Sequence, residues 1–292
     1  RQAVGLERPA DVVSTGPRFV AVGYDGRRVA SDDGGLTWIY DTEGDGQATG
    51  DPLLHGIAAV DGGFVALGGG DGTSLFVTSP TGAEWVGATG DIGLHNHIAT
   101  DGAGTWVASG VDMRVSTDRG ATWVEADDQA WTFTTHVAWG NGRFVVVGQD
   151  GLRGMSTDGV SWDWQDGGAN LEAVVFGDGV FVAVGQEGRR LRSTDGITWS
   201  DDVSEGDALY DVAWGNGLFL AVGEGRTLRS VDGATWTEAE PSPVSQLAYG
   251  DGVWLGVVWP NHRYRSDDDG DSWEKVAWDG RGLLTHIAYG GE

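Results

Sequence analysis

Ser193-Thr-Asp-Gly-Ile-Thr-Trp199 is the stretch that decides the fold, because the chain repeats it. Copies read SDDGGLTW at Ser31–Trp38, STDRGATW at Ser116–Trp123, STDGVSW at Ser156–Trp162, SVDGATW at Ser230–Trp236 and SDDDGDSW at Ser266–Trp273. A degraded copy, TSPTGAEW, occupies Thr78–Trp85 and is read with Pro80 where the others carry Asp. The tryptophans at 38, 85, 123, 162, 199, 236 and 273 stand 47, 38, 39, 37, 37 and 37 residues apart. Periods of about 40 residues with several short strands per unit belong to propeller blades.

Working outward from the turn, each unit reads alike. In the sixth, YDVAWGNG is followed by LFLAVGEG, RTLRSVDG and ATWTEAE. The first two segments are rich in β-branched and aromatic residues and are bounded by Gly, Asn and Asp, the signature of strands joined by tight turns. The GNG and GDG links at Gly140–Gly142, Gly177–Gly179, Gly215–Gly217 and Gly250–Gly252 predict two-residue hairpins with positive φ. With four strands A to D counted outward from the axis, the expectation is an all-β, seven-bladed β-propeller of four-stranded antiparallel blades, a single domain over residues 1–292. An eighth A-like strand, Thr285–Gly291, follows the last unit, while Asp11–Val22 already reads as an A–B hairpin. Closure of the ring by both termini is expected, the alternative being an incomplete eighth blade.

The S-x-D-(x)-G-x-[TS]-W turn, with Ser31, Asp33, Gly35, Thr37 and Trp38 or Ser116, Asp118, Gly120, Thr122 and Trp123 as examples, resembles the Asp-box of the sialidase-like propeller superfamily. The resemblance spans nearly the whole chain. It implies that the box joins strands C and D, that Asp33, Asp118, Asp158, Asp195, Asp232 and Asp268 hold turn amides, and that the tryptophans pack between sheets. Short Asp and Ser side chains do bond nearby backbone N–H groups in turns, so these residues are assigned to structure. Sialidases also carry an Arg-Ile-Pro-type motif, which this chain lacks, so sialidase activity is not implied.

Composition narrows the partners. The 292 residues carry 44 acidic and 18 basic side chains, a net charge of −26, and Lys275 is the only lysine. Nucleic acid and anionic membrane surfaces both require clustered Lys and Arg, so neither is expected. The absence of Cys excludes disulfides and thiol chemistry, and no apolar run reaches the length of a membrane span. The chain begins at Arg1, which together with the family resemblance leads us to expect a secreted, cell-surface or periplasmic protein. A monomer is expected.

Antiparallel alternation puts A–B turns and the repeated boxes on one face and D–A and B–C connections on the other, the top. All six histidines map to the top. His97, His136 and His286 share one position at the entrance of strand A, His55 and His95 lie within two residues of it, and His262 falls in a B–C connection. Asp211 and Gln246 hold the same position in other units. Neutral imidazoles converging from neighbouring strands suit Cu, Zn, Fe, Mn or Ni, with carboxylate or amide partners orienting them. His97, His136, His286 and His55 are therefore the candidate metal ligands, and Asp211, Gln246, His95 and His262 their neighbours. The opposing reading is that repeats copy residues, so the matched histidines are strand-entry residues bonded to loops.

Lesser candidates lie nearby. Trp131 and Trp259 are off-register on the top face, where an indole could stack on a sugar or cover the pocket. Trp106, Trp254, Trp139 and Trp214 are read as core. Asp25, Asp71, Asp112, Asp150, Glu187 and Glu224 form a ring of B–C loop carboxylates, read as solvated charge, and the C-strand arginines as partners of neighbouring Asp. The acidic run at Asp267–Asp269 is explained by the repeated turn, not by calcium. Two functions follow. One is a metal-dependent binding or catalytic site at the mouth of the central channel, with hydrolase, lyase and oxidase chemistry all open. The other is a non-catalytic propeller that binds a small molecule, peptide or glycan on the top face, lectin-like or as a scaffold resembling the propeller assembly factor of photosystem II.

Overall fold

The computed structural model describes residues 18–42, 53–70, 73–87, 95–126, 133–223, 225–258, 262–277 and 284–290. These residues form seven four-stranded antiparallel sheets arranged as the blades of a propeller. Strands A to D of blade 4 are Thr134–Gly140, Arg143–Gly148, Arg153–Ser156 and Asp163–Gln165. The A–B hairpins turn as expected: Asn141 and Gly142 both take positive φ (48° and 72°), as do Asn216 and Gly217 (51° and 71°). That is the geometry of a two-residue turn matching strand twist.

The ring closes through the C-terminal strand. Blade 1 runs Leu284–Gly290, Arg18–Gly23, Arg28–Ser31 and Ile39–Thr42 from the axis outward, so the last strand of the chain supplies its inner strand. Phe19 pairs with Tyr289 and Val22 with His286 across this joint. No eighth blade occurs among the described residues. Residues 11–17, read from sequence as part of an A strand, lie outside them.

Seven hydrophobic clusters hold the ring together, one at each interface between consecutive blades. The cluster between blades 5 and 6, for example, joins Val182 and Val184 to Leu209, Val212, Phe219 and Leu228, with Trp236 against its edge. The last one joins blade 7 (Leu255, Val257) to blade 1 (Phe19, Ile287), with Trp38 beside it. Each box tryptophan thus wedges between its own blade and the preceding one, which is why it recurs with the blade. Trp106 and Trp254 are 5% and 0% exposed, and Trp139 and Trp214 pack against Phe144 and Phe219, so all four belong to the core.

The repeated turn is a closed hydrogen-bond unit. In blade 5, Ser193 Oγ accepts from Gly196 N (2.8 Å) and donates to Asp195 Oδ1 (3.0 Å). Asp195 Oδ1 accepts from Ile197 N (2.9 Å) and Thr198 N (2.7 Å), and Trp199 Nε1 donates to Gly196 O (3.2 Å). Slight burial pulls the Asp195 carboxyl upward, but the N–H donors of Thr198 and Ile197 prevail and carry it down to about 2. Asp33, Asp118, Asp158, Asp232 and Asp268 repeat these bonds.

The degraded copy corrects one alignment. Ser79, not Thr78, pairs with Phe64 as Ser193 pairs with Phe181, and its Oγ accepts from Gly82 N at 2.7 Å. Thr81 therefore stands at the Asp position and Pro80 at the variable one; Thr81 Oγ1 accepts from Ala83 N at 3.3 Å, a longer substitute for the missing carboxylate.

Candidate functional site: the mouth of the central channel

Strand A enters six of the seven blades through a break in alternation. In blade 4 Thr134 pairs with Gly148 and His136 with Val147, leaving Thr135 as an extra residue; the same shift occurs at Thr285, His55, Asn96, Glu172 and Tyr210. A β-bulge opposes two residues to one and re-aims the side chains at that point. Six of the seven inner strands therefore place two consecutive residues where an unbroken strand places one. The second member of each pair is His286, Gly56, His97, His136, Ala173 or Asp211, and Gln246 holds the corresponding place in blade 7.

Threonine uses the bulge to staple blades. Thr285 Oγ1 donates to Leu54 O of blade 2 (2.7 Å) while lying 3.2 Å from Val22 O of its own blade. Thr135 Oγ1 does the same toward Leu171 O (2.8 Å) and Val147 O (3.1 Å). The bulge residues other than Thr285, together with His286, His97, His136, Asp211 and Gln246, line a cavity of about 330 Å³. His55, His97, His136 and His286 form one side; Glu172, Tyr210, Asp211 and Gln246 come from blades 5 to 7 opposite; Asn96, Thr135, Phe133, Gln149 and Asn170 complete the wall. No Arg or Lys is part of it.

The imidazoles lie against each other. His97 and His136 stack with ring centroids 3.5 Å apart and an interplanar angle of 25°. Burial lowers His97 to about 4 against an opposing backbone hydrogen bond at Val137. Burial, then the His97 and His286 rings, push His136 well below the ordinary imidazole range, against a backbone bond at Val174. His286 is driven to about 3 by burial and then by His97 and His55, and burial alone lowers His55. All four are neutral at pH 7. The Nδ1 atoms of His97, His136 and His286 are buried and have no hydrogen-bond partner.

At the matching position of blade 2 stands Gly56. A Cβ there would collide with the carbonyl of Asn96, so the position is restricted to glycine and lets the inner strands of blades 2 and 3 approach closely.

Asp211 is the acidic counterpart. It is 6% exposed; its Oδ1 accepts from Val212 N (2.8 Å) and its Oδ2 from Leu247 N of blade 7 (2.7 Å). Burial raises it to about 7 despite both donors, because a desolvated carboxylate costs more than two N–H bonds return. Glu172 accepts from Gln186 Nε2 at 2.7 Å.

Not every residue singled out in the sequence converges here. His95 is fully buried and places Nε2 3.5 Å from Asp112 Oδ1, away from the cavity wall. His262 opens strand C of blade 7, with its ring edge-on to Tyr264 at 6.5 Å. Trp131 and Trp259 lie outside the described residues. Among the described residues, no group of three or more His, Asp or Glu side chains is placed in this arrangement so that it could hold a metal ion. The C-strand arginines serve the blades: Arg263 lies over Trp38 (4.5 Å) and Arg28 over Trp85 (5.7 Å), while Arg265 pairs with Asp267 at 2.8 Å. Sequence reasoning did not find Asn96, Thr135, Glu172 and Tyr210. Their signal was the three-residue step between apolar core positions, as in Leu209-Tyr-Asp-Val212, where an unbroken strand would step by two.

These features define a β-propeller with a polar, partly enclosed channel mouth. No family model matches the chain, and no curated protein matches its sequence. Solved structures match the fold. YCF48 bound to a D1 peptide superposes with a TM-score of 0.62 over 90% of this chain and 89% of that one, at 17% identity. The computationally designed Ika8 protein gives 0.66 over 92% and 86%, at 13% identity. A chain of the nidogen/laminin complex gives 0.56 over 94% and 98%, at 12% identity. At these identities the likeness is one of fold.

Proposed function

We propose that this chain is a binding propeller that receives a polar guest at the top mouth of its channel. The observation carrying this reading is the 330 Å³ cavity walled by neutral imidazoles, amides, hydroxyls and two carboxyl groups, with no cationic side chain. Such a wall favours uncharged polar or cationic groups and disfavours a carboxylate substrate, and a net charge of −26 biases the surrounding field the same way. The placement of the arginines on tryptophans, away from the mouth, supports setting sialidase-type chemistry aside, while the repeated turn supports kinship with Asp-box propellers. Binding is favoured over turnover because both lining carboxyls already serve neighbours, Asp211 two backbone N–H groups and Glu172 the Gln186 amide.

The guest class best supported is a short peptide segment. A fold neighbour was solved with a peptide bound, and amide and hydroxyl walls suit peptide N–H and C=O groups. A peptide array and a glycan array probed with the chain, each repeated with Tyr210→Ala, test this. Peptide binding that Tyr210→Ala weakens and His262→Ala leaves intact is expected. Binding that ignores changes at the mouth would refute it.

A further inference from the structure

We propose that His97, His136 and His286, with His55 beside them, bind one Zn²⁺ or Cu²⁺ ion at the channel mouth. The proposal rests on the mouth being a binding site and adds the identity of one guest. Its basis is the set of unpartnered nitrogens. Three buried Nδ1 atoms, from blades 1, 3 and 4, make no hydrogen bond of good geometry, and each such buried polar atom is costly until something satisfies it.

A neutral imidazole carries one N–H and one lone pair, so each ring can turn one nitrogen to an ion. All four rings line one cavity, and His97 and His136 lie with their centroids 3.5 Å apart, so an ion seated there meets several of them. Imidazole donors select Zn²⁺ and Cu²⁺ over Mg²⁺ and Ca²⁺, which prefer oxygen.

The stacked rings show what must move. Face to face at 3.5 Å, His97 and His136 do not aim nitrogens at a common point, so one ring must tilt about its side-chain torsions when the ion enters. The cavity beside them leaves room for that tilt.

The test uses the full chain, purified without a histidine tag and stripped with chelator, then titrated calorimetrically with Zn²⁺ and, separately, Cu²⁺. One ion per chain is expected, with nitrogen hyperfine structure in the Cu²⁺ EPR spectrum. His97→Phe and His136→Phe, which retain an aromatic stack, should each weaken binding at least about tenfold; His262→Phe should not. His97→Gln replaces any Phe variant whose circular dichroism departs from wild type. A folded chain that takes up no stoichiometric ion, or a His97→Phe/His136→Phe double variant with unchanged affinity, would overturn the proposal. If the chain takes no ion yet binds a peptide at the mouth, only the metal assignment falls; if it binds neither, both readings fall.

Discussion

Acid should unfold this propeller through its mouth. His97 and His286 titrate at about 4 and about 3 in the folded chain, and His136 lies well below the ordinary value, in each case because burial disfavours the charged ring. In the unfolded chain all three protonate near 6.5. Their folded values being depressed, the stability they confer is complete above about pH 6.5 and drains away as the pH falls toward 4. Each proton bound only by the unfolded state contributes about 1.4 kcal/mol per pH unit, so three give about 4. Asp211 acts oppositely. Its folded value, raised from 3.8 to about 7, means that its contribution is complete below 3.8 and is lost as pH rises through 7, removing about 1.4 kcal/mol per unit from the slope. The net is about 3 kcal/mol per pH unit between pH 4.5 and 6, reduced to about half if solvent in the mouth screens the rings. Against a typical total of about 5–15 kcal/mol, that is enough to unfold the chain within a few pH units. Urea melts at half-unit intervals from pH 4.5 to 7 measure it, and His136→Phe should lower the slope by about one proton's worth. A flat profile in wild type, or a slope that His136→Phe leaves unchanged, would refute the assignment of these imidazoles as buried and neutral.

Asp211→Asn should steepen that same slope. Its side chain offers one acceptor to two backbone donors, which costs about 1–3 kcal/mol at pH 6 and progressively less toward pH 8, where the native carboxylate is itself penalised; melts at both pH values decide it. Thr285→Val removes the hydroxyl bridging blades 1 and 2 and should cost about 1 kcal/mol, with faster amide exchange confined to Leu284–Gly290 and its partners. Gly56→Ala forces the strand of Asn96 aside and should cost about 1–3 kcal/mol in a denaturant melt. Ser193→Ala leaves Gly196 N unpaired inside the turn and should cost about 1–3 kcal/mol in a denaturant melt.

The fold was legible because its decisive residues act locally. Ser193, Asp195, Gly196 and Trp199 close a turn within seven residues, and repetition of that turn counts the blades. Where the local signal weakened, as at Thr78–Trp85, the alignment slipped by one residue, and only strand pairing with Phe64 fixed Ser79 in place. The site was half legible. The common strand position of His97, His136 and His286 followed from the repeat, but their neighbours did not, because a bulge changes which face a residue joins without changing its residue type. Tyr210 and Glu172 look like solvent-facing alternation until the pairing of Leu209 with Gly223 and of Asp211 with Val222 shows the extra residue. Nor could sequence show that His95, two residues from His97, turns away toward Asp112. That depends on which side of the bulge a residue falls.

The most direct test of the account is the ring-nitrogen NMR spectrum of the histidines, recorded at pH 7 and pH 5 and again with one equivalent of Zn²⁺. With three rings buried and neutral at the mouth, His97, His136 and His286 should stay neutral at pH 5, and their ring-nitrogen resonances should move together when the ion is added. Six imidazoles that all titrate near 6.5, with no common response to zinc, would contradict it.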